Sequence, residues 1–168
     1  MQVRRLLDHA DGAFRGLCET VIVTGARPGE LANARVRDFS RTDGTLSLTG
    51  KTGHRTSYLS QQGFEMFTQL SRGKLPGALL LPNDAGMPWR KEHWRDLMMR
   101  ARKTAHLPAD TVMYSLRHYA VSKMLVAGVA PQVTAENTGT SIRMIERHYG
   151  KFTALDRRTM LDRVEVAL

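Results

Sequence analysis

Thr138-Gly139-Thr140-Ser141-Ile142-Arg143-Met144-Ile145-Glu146-Arg147-His148-Tyr149 places a tyrosine a short helical run beyond a small polar turn. A phenol is a poor nucleophile at neutral pH, because its pKa of about 10 leaves little of it ionised. Chemistry at Tyr149 therefore depends on what the rest of the chain brings to it.

Composition narrows the targets. With 168 residues and 42% hydrophobic content, the chain can bury one core, so residues 1–168 are expected to form a single domain. A formal charge of +9 favours a polyanion, either nucleic acid or an acidic membrane face. Nineteen arginines against six lysines lean towards nucleic acid, since the planar guanidinium grips phosphate bidentately. No apolar run approaches the roughly 20 residues of a spanning helix. Met1-Gln2-Val3-Arg4-Arg5 is not followed by a signal-peptide core, so a soluble cytoplasmic protein with no membrane partner is expected. Cys18 stands alone in an apolar segment and reads as a core residue, and the six histidines lack paired metal spacing, so no metal site is expected. Were the target a DNA phosphodiester, Tyr149 would need guanidinium groups on the phosphate oxygens and a proton donor for the departing 5′ oxygen.

Taken in order, Gln2–Ala10 and Ala13–Thr24 carry apolar residues at helical spacing on either side of an Asp11-Gly12 turn. In Ala26-Arg27-Pro28-Gly29-Glu30-Leu31, Pro28 suits a first helical turn, Glu30 suits the positive end of the helix dipole, and Arg27 falls at the helix entrance. Leu46-Ser47-Leu48 and Ser57-Tyr58-Leu59 alternate around Gly50-Lys51-Thr52-Gly53, which predicts a small antiparallel sheet with Lys51 at or beside the hairpin tip. Gly50-Lys51-Thr52 is not a phosphate-binding loop, because position 45, where the motif needs glycine, is Thr45. Gln61–Leu70 is predicted helical with Phe64, Phe67 and Leu70 inward. Arg90–His106 is predicted as a basic helix with Trp94, Leu97, Met98 and Ala101 in one stripe, leaving Arg95, Arg100, Arg102 and Lys103 available to solvent or to DNA phosphate. Ser115 is a plausible N-cap for a helix over Leu116–Ala127, with Arg117 beside its buried stripe. A short helix around Gln132–Asn137 and another from Ser141 lead to Tyr149, and Leu155–Leu168 is amphipathic. The fold class expected is mainly α with a small antiparallel three-stranded β-sheet.

Ala26-Arg27-Pro28-Gly29-Glu30-Leu31, a hairpin lysine at position 51, Tyr114-Ser115-Leu116-Arg117-His118, and Gly139-Thr140 with Tyr149 nine positions beyond Thr140 together resemble the catalytic domain of the tyrosine recombinases, the phage integrase family. The resemblance spans nearly the whole chain. It implies that Arg27 and Arg117 clamp the scissile phosphate and that Lys51 protonates the leaving 5′ oxygen. Tyr149 would attack to form a 3′-phosphotyrosyl bond, so that rejoining needs neither ATP nor metal, nor any other cofactor. It also implies supporting roles for Glu30 and His118, double-stranded DNA as partner, a tetramer on two duplexes, and a bacterial or phage origin. Two positions depart from the family pattern: Tyr114 stands where most members have histidine, and Thr140 where most have histidine or tryptophan. Both keep a hydroxyl that can bond a phosphate oxygen, but neither titrates near neutrality. His148 is not expected to replace the missing base, because adjacent helical residues do not face each other. The N-terminal domain with which the family closes around DNA is expected to be absent.

Isolated, each residue has a blander reading. Arg27 and Arg117 would be surface arginines, Lys51 a turn residue, and Tyr149 a half-buried packing residue with a wet hydroxyl. Their joint order and spacing favour a strand-cleaving and rejoining enzyme. The alternatives are a type IB topoisomerase-like DNA-relaxing activity and a DNA-binding module whose site decayed at Tyr114 and Thr140.

Overall fold

The apolar spacing of the first 24 residues produces α1 (Val3–Leu7) and α2 (Gly12–Thr24) in a computed structural model that describes residues 2–50 and 53–154. Lys51 and the amphipathic segment 155–168 therefore lie outside the described residues. Phe14, Leu17, Cys18 and Val21 of α2 point into the core, with Cys18 fully buried as its apolar setting predicts. Burial, and then the neighbouring Glu19, pushes the Cys18 thiol up to about 12. Gly25 ends α2 in the left-handed region, at φ 66°. The chain then enters the single turn α3 (Pro28–Leu31), whose N-cap is Arg27 and whose first residue is Pro28.

The predicted sheet forms from β1 (Phe39–Ser40), β2 (Thr45–Gly50) and β3 (Gly53–Tyr58), all antiparallel and in the order β1-β2-β3. Leu46 and Leu48 alternate with Ser47 and Thr49 and are buried. The register sets Ser57 opposite Leu46 and Arg55 opposite Leu48. Directly opposed residues share a face, so Arg55 points to the buried side of the sheet. That placement matters for the site.

Helix α4 (Gln61–Ser71) is capped by Ser60, whose hydroxyl accepts the Gly63 N–H at 3.2 Å. Its Phe67 is fully buried, with ring centroids 5.8 Å from Phe39. Helix α5 (Lys91–Thr104) buries Met98 and Ala101 and packs Trp94 and Leu97 against the core, which is the stripe expected of it. Helix α6 (Met113–Val126) starts earlier than its sequence suggests. Ser115 is not the N-cap; it occupies the third helical position and its hydroxyl accepts the Val112 N–H at 3.1 Å. A serine reaching back across one turn satisfies an orphan donor as well as a capping serine does. Helices α7 (Pro131–Thr138) and α8 (Ile142–Ala154) follow.

Two apolar clusters result. The larger joins α1, α2, the sheet, α4, α5 and the start of α6, and the smaller comprises Val121, Leu125, Ala135, Ile145 and Tyr149. The fold is mainly α with one three-stranded antiparallel sheet, and no helix among the described residues is long and apolar enough to cross a membrane. Truncating Phe67 to alanine removes a fully enclosed ring, and a loss of about 3–5 kcal/mol is expected in urea unfolding. Phe64→Ala, which removes a partly buried ring of the same helix, should cost less.

Candidate active site

Helix α7 ends in a Schellman turn. Gly139 takes φ 69°, the Thr140 N–H reaches the Ala135 carbonyl at 2.9 Å, and the Gly139 N–H reaches that of Glu136 at 3.3 Å. The next three carbonyls each accept from a different arginine. Arg55 Nη1 donates to Asn137, Arg117 Nη1 to Thr138 at 2.6 Å, and Arg27 Nη2 to Gly139. The last carbonyls of a helix carry the negative end of its dipole, so guanidinium groups are favoured there by charge as well as by hydrogen bonding.

Arg117 Nη1 also donates to the Gly25 carbonyl at 2.7 Å, so one guanidinium ties the end of α2 to the end of α7. Far from being a surface arginine, Arg117 is 2% exposed. Burial pulls its pKa below the ordinary arginine value, opposed by Tyr114, whose ring lies 5.7 Å beneath the guanidinium. An arginine retains its charge through such a shift.

Glu30 binds two of the three arginines. Its carboxylate accepts from Arg27 Nη1 and the Arg27 backbone N–H, both at 2.9 Å, and from Arg55 Nη2 at 2.8 Å. Burial by itself raises its pKa, but the Arg27 amide and the Arg55 charge outweigh burial and hold it below the usual carboxylate value. Three guanidiniums thus converge with one carboxylate, leaving an excess of positive charge suited to an anion. A cavity of about 510 Å³ opens beside them, lined by Arg27, His54, Arg55, Gly139, Thr140 and Ser141.

Tyr149 lies on the neighbouring side of Arg117. It is 7% exposed, and its hydroxyl is hydrogen-bonded to Nδ1 of His118. Burial, and then Tyr114, push its phenol up to about 12, against an opposing pull from Arg117. Tyr114 stands edge-on to the His118 ring, with centroids 4.9 Å apart, and is 46% exposed.

The structure therefore brings together Arg27, Glu30, Tyr114, Arg117, His118, Thr140 and Tyr149 from four separate segments. Lys51 lies outside the described residues. His148 is exposed, its ring 6.3 Å from His118 and 6.5 Å from Tyr149, and the histidine that meets the tyrosine hydroxyl is His118. On α5, Arg95, Arg100 and Lys103 are exposed as predicted. Arg102 is not available in the same way: it is half-buried and donates to the Ala109 and Thr111 carbonyls, holding the loop that follows its own helix. The sequence reading missed Arg55. A charged residue paired across the hairpin with core-facing Leu48 was the available signal.

The model of the phage integrase family matches residues 1–154. The fold is similar to that of the XerA recombinase, with a TM-score of 0.70 and 16% identity over 98% of this chain and 64% of that one. The Tn1549 transposon integrase in complex with circular intermediate DNA gives 0.77 and 16% over 98% and 65%. A lambda integrase dimer bound to a COC′ core site gives 0.68 and 19% over 84% and 56%. The chain spans less than two thirds of the length of these structures. No curated protein matches it in sequence.

Two outcomes are expected from this geometry. A Cβ at Gly139 would stand 2.4 Å from Arg55 Nε and 3.1 Å from Arg27 Nη1, at a φ that disfavours side chains. Gly139→Ala should therefore lower stability by about 1–2 kcal/mol from the backbone alone, with more from displaced arginines, read as a fall in melting temperature. Glu30, with its pKa depressed on folding, stabilises the fold above the unfolded carboxylate pKa and loses that contribution as pH falls through the folded value. The stability gap between the native chain and Glu30→Gln, followed by urea unfolding, should be full at neutral pH and shrink as the solution becomes acidic.

Proposed function

The chain belongs to the phage integrase family, and from that premise we propose that it is the catalytic domain of a site-specific DNA recombinase, cleaving and rejoining DNA through Tyr149. The observation that carries the reading is the convergence of Arg27 and Arg117 on successive carbonyls of one turn, with Tyr149 beside Arg117.

Arg27 and Arg117 take the scissile phosphate, and their rigid anchoring means that little reorganisation is needed as charge develops on the phosphoryl oxygens. Glu30, itself bound by Arg55, holds Arg27 in position. Tyr149 attacks phosphorus, the bond to the 5′ oxygen breaks, and that oxygen leaves with a proton from Lys51. The phosphotyrosyl bond keeps the free energy of the phosphodiester, so attack by a 5′ hydroxyl of another strand reverses the step. Thr140, on the cavity wall beside Arg27, and Tyr114 offer hydroxyls to phosphate oxygens in place of the family's usual rings. Arg95, Arg100 and Lys103 on α5 contact the DNA backbone, with affinity that falls steeply as salt rises. On two duplexes the working assembly is a tetramer, and the compartment is the cytoplasm.

Incubation with negatively supercoiled plasmid at low salt, followed by denaturing gels, tests the reading without knowledge of the target site. The native chain should give relaxed topoisomers and protein-linked DNA. Tyr149→Phe should give neither while still retarding DNA on a native gel. Binding with no adduct from the native chain would instead favour a decayed DNA-binding module.

A further inference from the structure

Position 114, where the family usually places a histidine, holds a tyrosine, and a phenol that is itself neutral at pH 7 makes a poor proton acceptor. The tyrosine to be activated is a hard case, since burial has raised its pKa to about 12. Attack by the neutral phenol needs its proton removed as the bond to phosphorus forms.

Resting on the recombinase reading above, we infer that His118 is the general base of this site, taking the Tyr149 proton on Nδ1 through the hydrogen bond that already joins the two groups. The geometry has three parts. His118 lies on α6 one residue beyond Arg117, and Tyr149 lies on α8, so helix packing brings base and nucleophile together across 31 residues. His118 is exposed as a residue while its Nδ1 meets the Tyr149 hydroxyl, so the imidazolium formed by proton capture can be solvated. Its orientation is fixed on one side by the edge of Tyr114 at 4.9 Å and on the other by Tyr149, with ring centroids 5.6 Å apart.

The groups facing His118 keep it ready. Partial burial, then His148 on α8 and Arg117 on α6, hold its pKa below the ordinary histidine value, while Tyr114 and Tyr149 complete its surroundings. That direction favours the uncharged ring at neutral pH, and the proposed role requires its tautomer with hydrogen on Nε2 and a lone pair at Nδ1. In the forward step the Tyr149 O–H bond breaks, its proton goes to Nδ1, Oη bonds to phosphorus, and the 5′ oxygen departs with the proton of Lys51. In rejoining, the imidazolium returns the proton to Tyr149 as the phosphotyrosyl bond breaks.

The test follows the rate of covalent attachment to negatively supercoiled plasmid against pH for the native chain and His118→Asn, with thermal melts to confirm that the variant is folded. The asparagine amide can hydrogen-bond near the position of Nδ1 but cannot take up a proton. The native rate should level off above the histidine titration and fall below it. His118→Asn should be slower by about 10²–10⁴-fold at pH 7, with a rate that keeps climbing as alkali ionises the phenol. A folded variant with the native rate and native profile overturns the assignment. No adduct from the native chain would mark failure of the underlying reading instead. In that event, ¹⁵N NMR of the native imidazole decides. An unprotonated Nδ1 whose resonance moves in Tyr149→Phe supports the assignment, and a protonated Nδ1 overturns it.

Discussion

Three successive carbonyls at the end of α7, those of Asn137, Thr138 and Gly139, receive hydrogen bonds from Arg55, Arg117 and Arg27. A helix C-terminus leaves its last carbonyls without intrahelical donors and concentrates negative partial charge there. Here the Schellman turn satisfies the carbonyls of Ala135 and Glu136, and the arginines satisfy the next three. The residue making this possible is Gly139, whose left-handed backbone and missing Cβ let two guanidinium groups come close to the turn. Arg55 arrives from the sheet, Arg27 from the N-cap of α3 and Arg117 from α6, so the turn registers three parts of the fold against one another.

Arg117 bears most of that constraint. A charge with 2% exposure costs free energy unless its hydrogen bonds are made. The Gly25 and Thr138 carbonyls and the face of the Tyr114 ring supply its interactions. Gly25 is itself held tightly, since a Cβ there would meet the Thr138 side chain at 2.9 Å. The ends of α2 and α7 therefore approach as closely as they do because both finish in glycines at positive φ. The consequence for chemistry is a fixed positive charge whose neighbours have already given up their water.

Tyr149 illustrates how packing and reactivity compete at one residue. Its ring belongs to the smaller apolar cluster with Val121, Leu125, Ala135 and Ile145, which fixes its position but makes its phenolate expensive. The positive potential of Arg117 works the other way, and the hydroxyl is hydrogen-bonded to Nδ1 of His118. Tyr114 links these effects, because it touches both the Arg117 guanidinium and the His118 ring.

Local patterns were enough to establish much of this protein. Helical apolar spacing gave α2, α4 and α5, alternation around Gly50 and Gly53 gave the hairpin, and Arg27 before Pro28 marked a helix entrance, because these signals depend on residues near in sequence. Arg27, Arg117, Gly139-Thr140 and Tyr149 lie far apart in sequence and were legible as a set only through their order, which resembles the family pattern. Ser115 misled because a hydroxyl serves a helix N-terminus from either the cap or the third position. The burial of Arg117, the turning of Arg102 to loop carbonyls, the sharing of Glu30 by Arg27 and Arg55, and the pairing of His118 with Tyr149 were decided only by tertiary structure. Each joins a charged or polar group to a partner determined by how helices and strands pack. Hydrogen bonds and burial depend on that three-dimensional arrangement, which no local period in the sequence encodes.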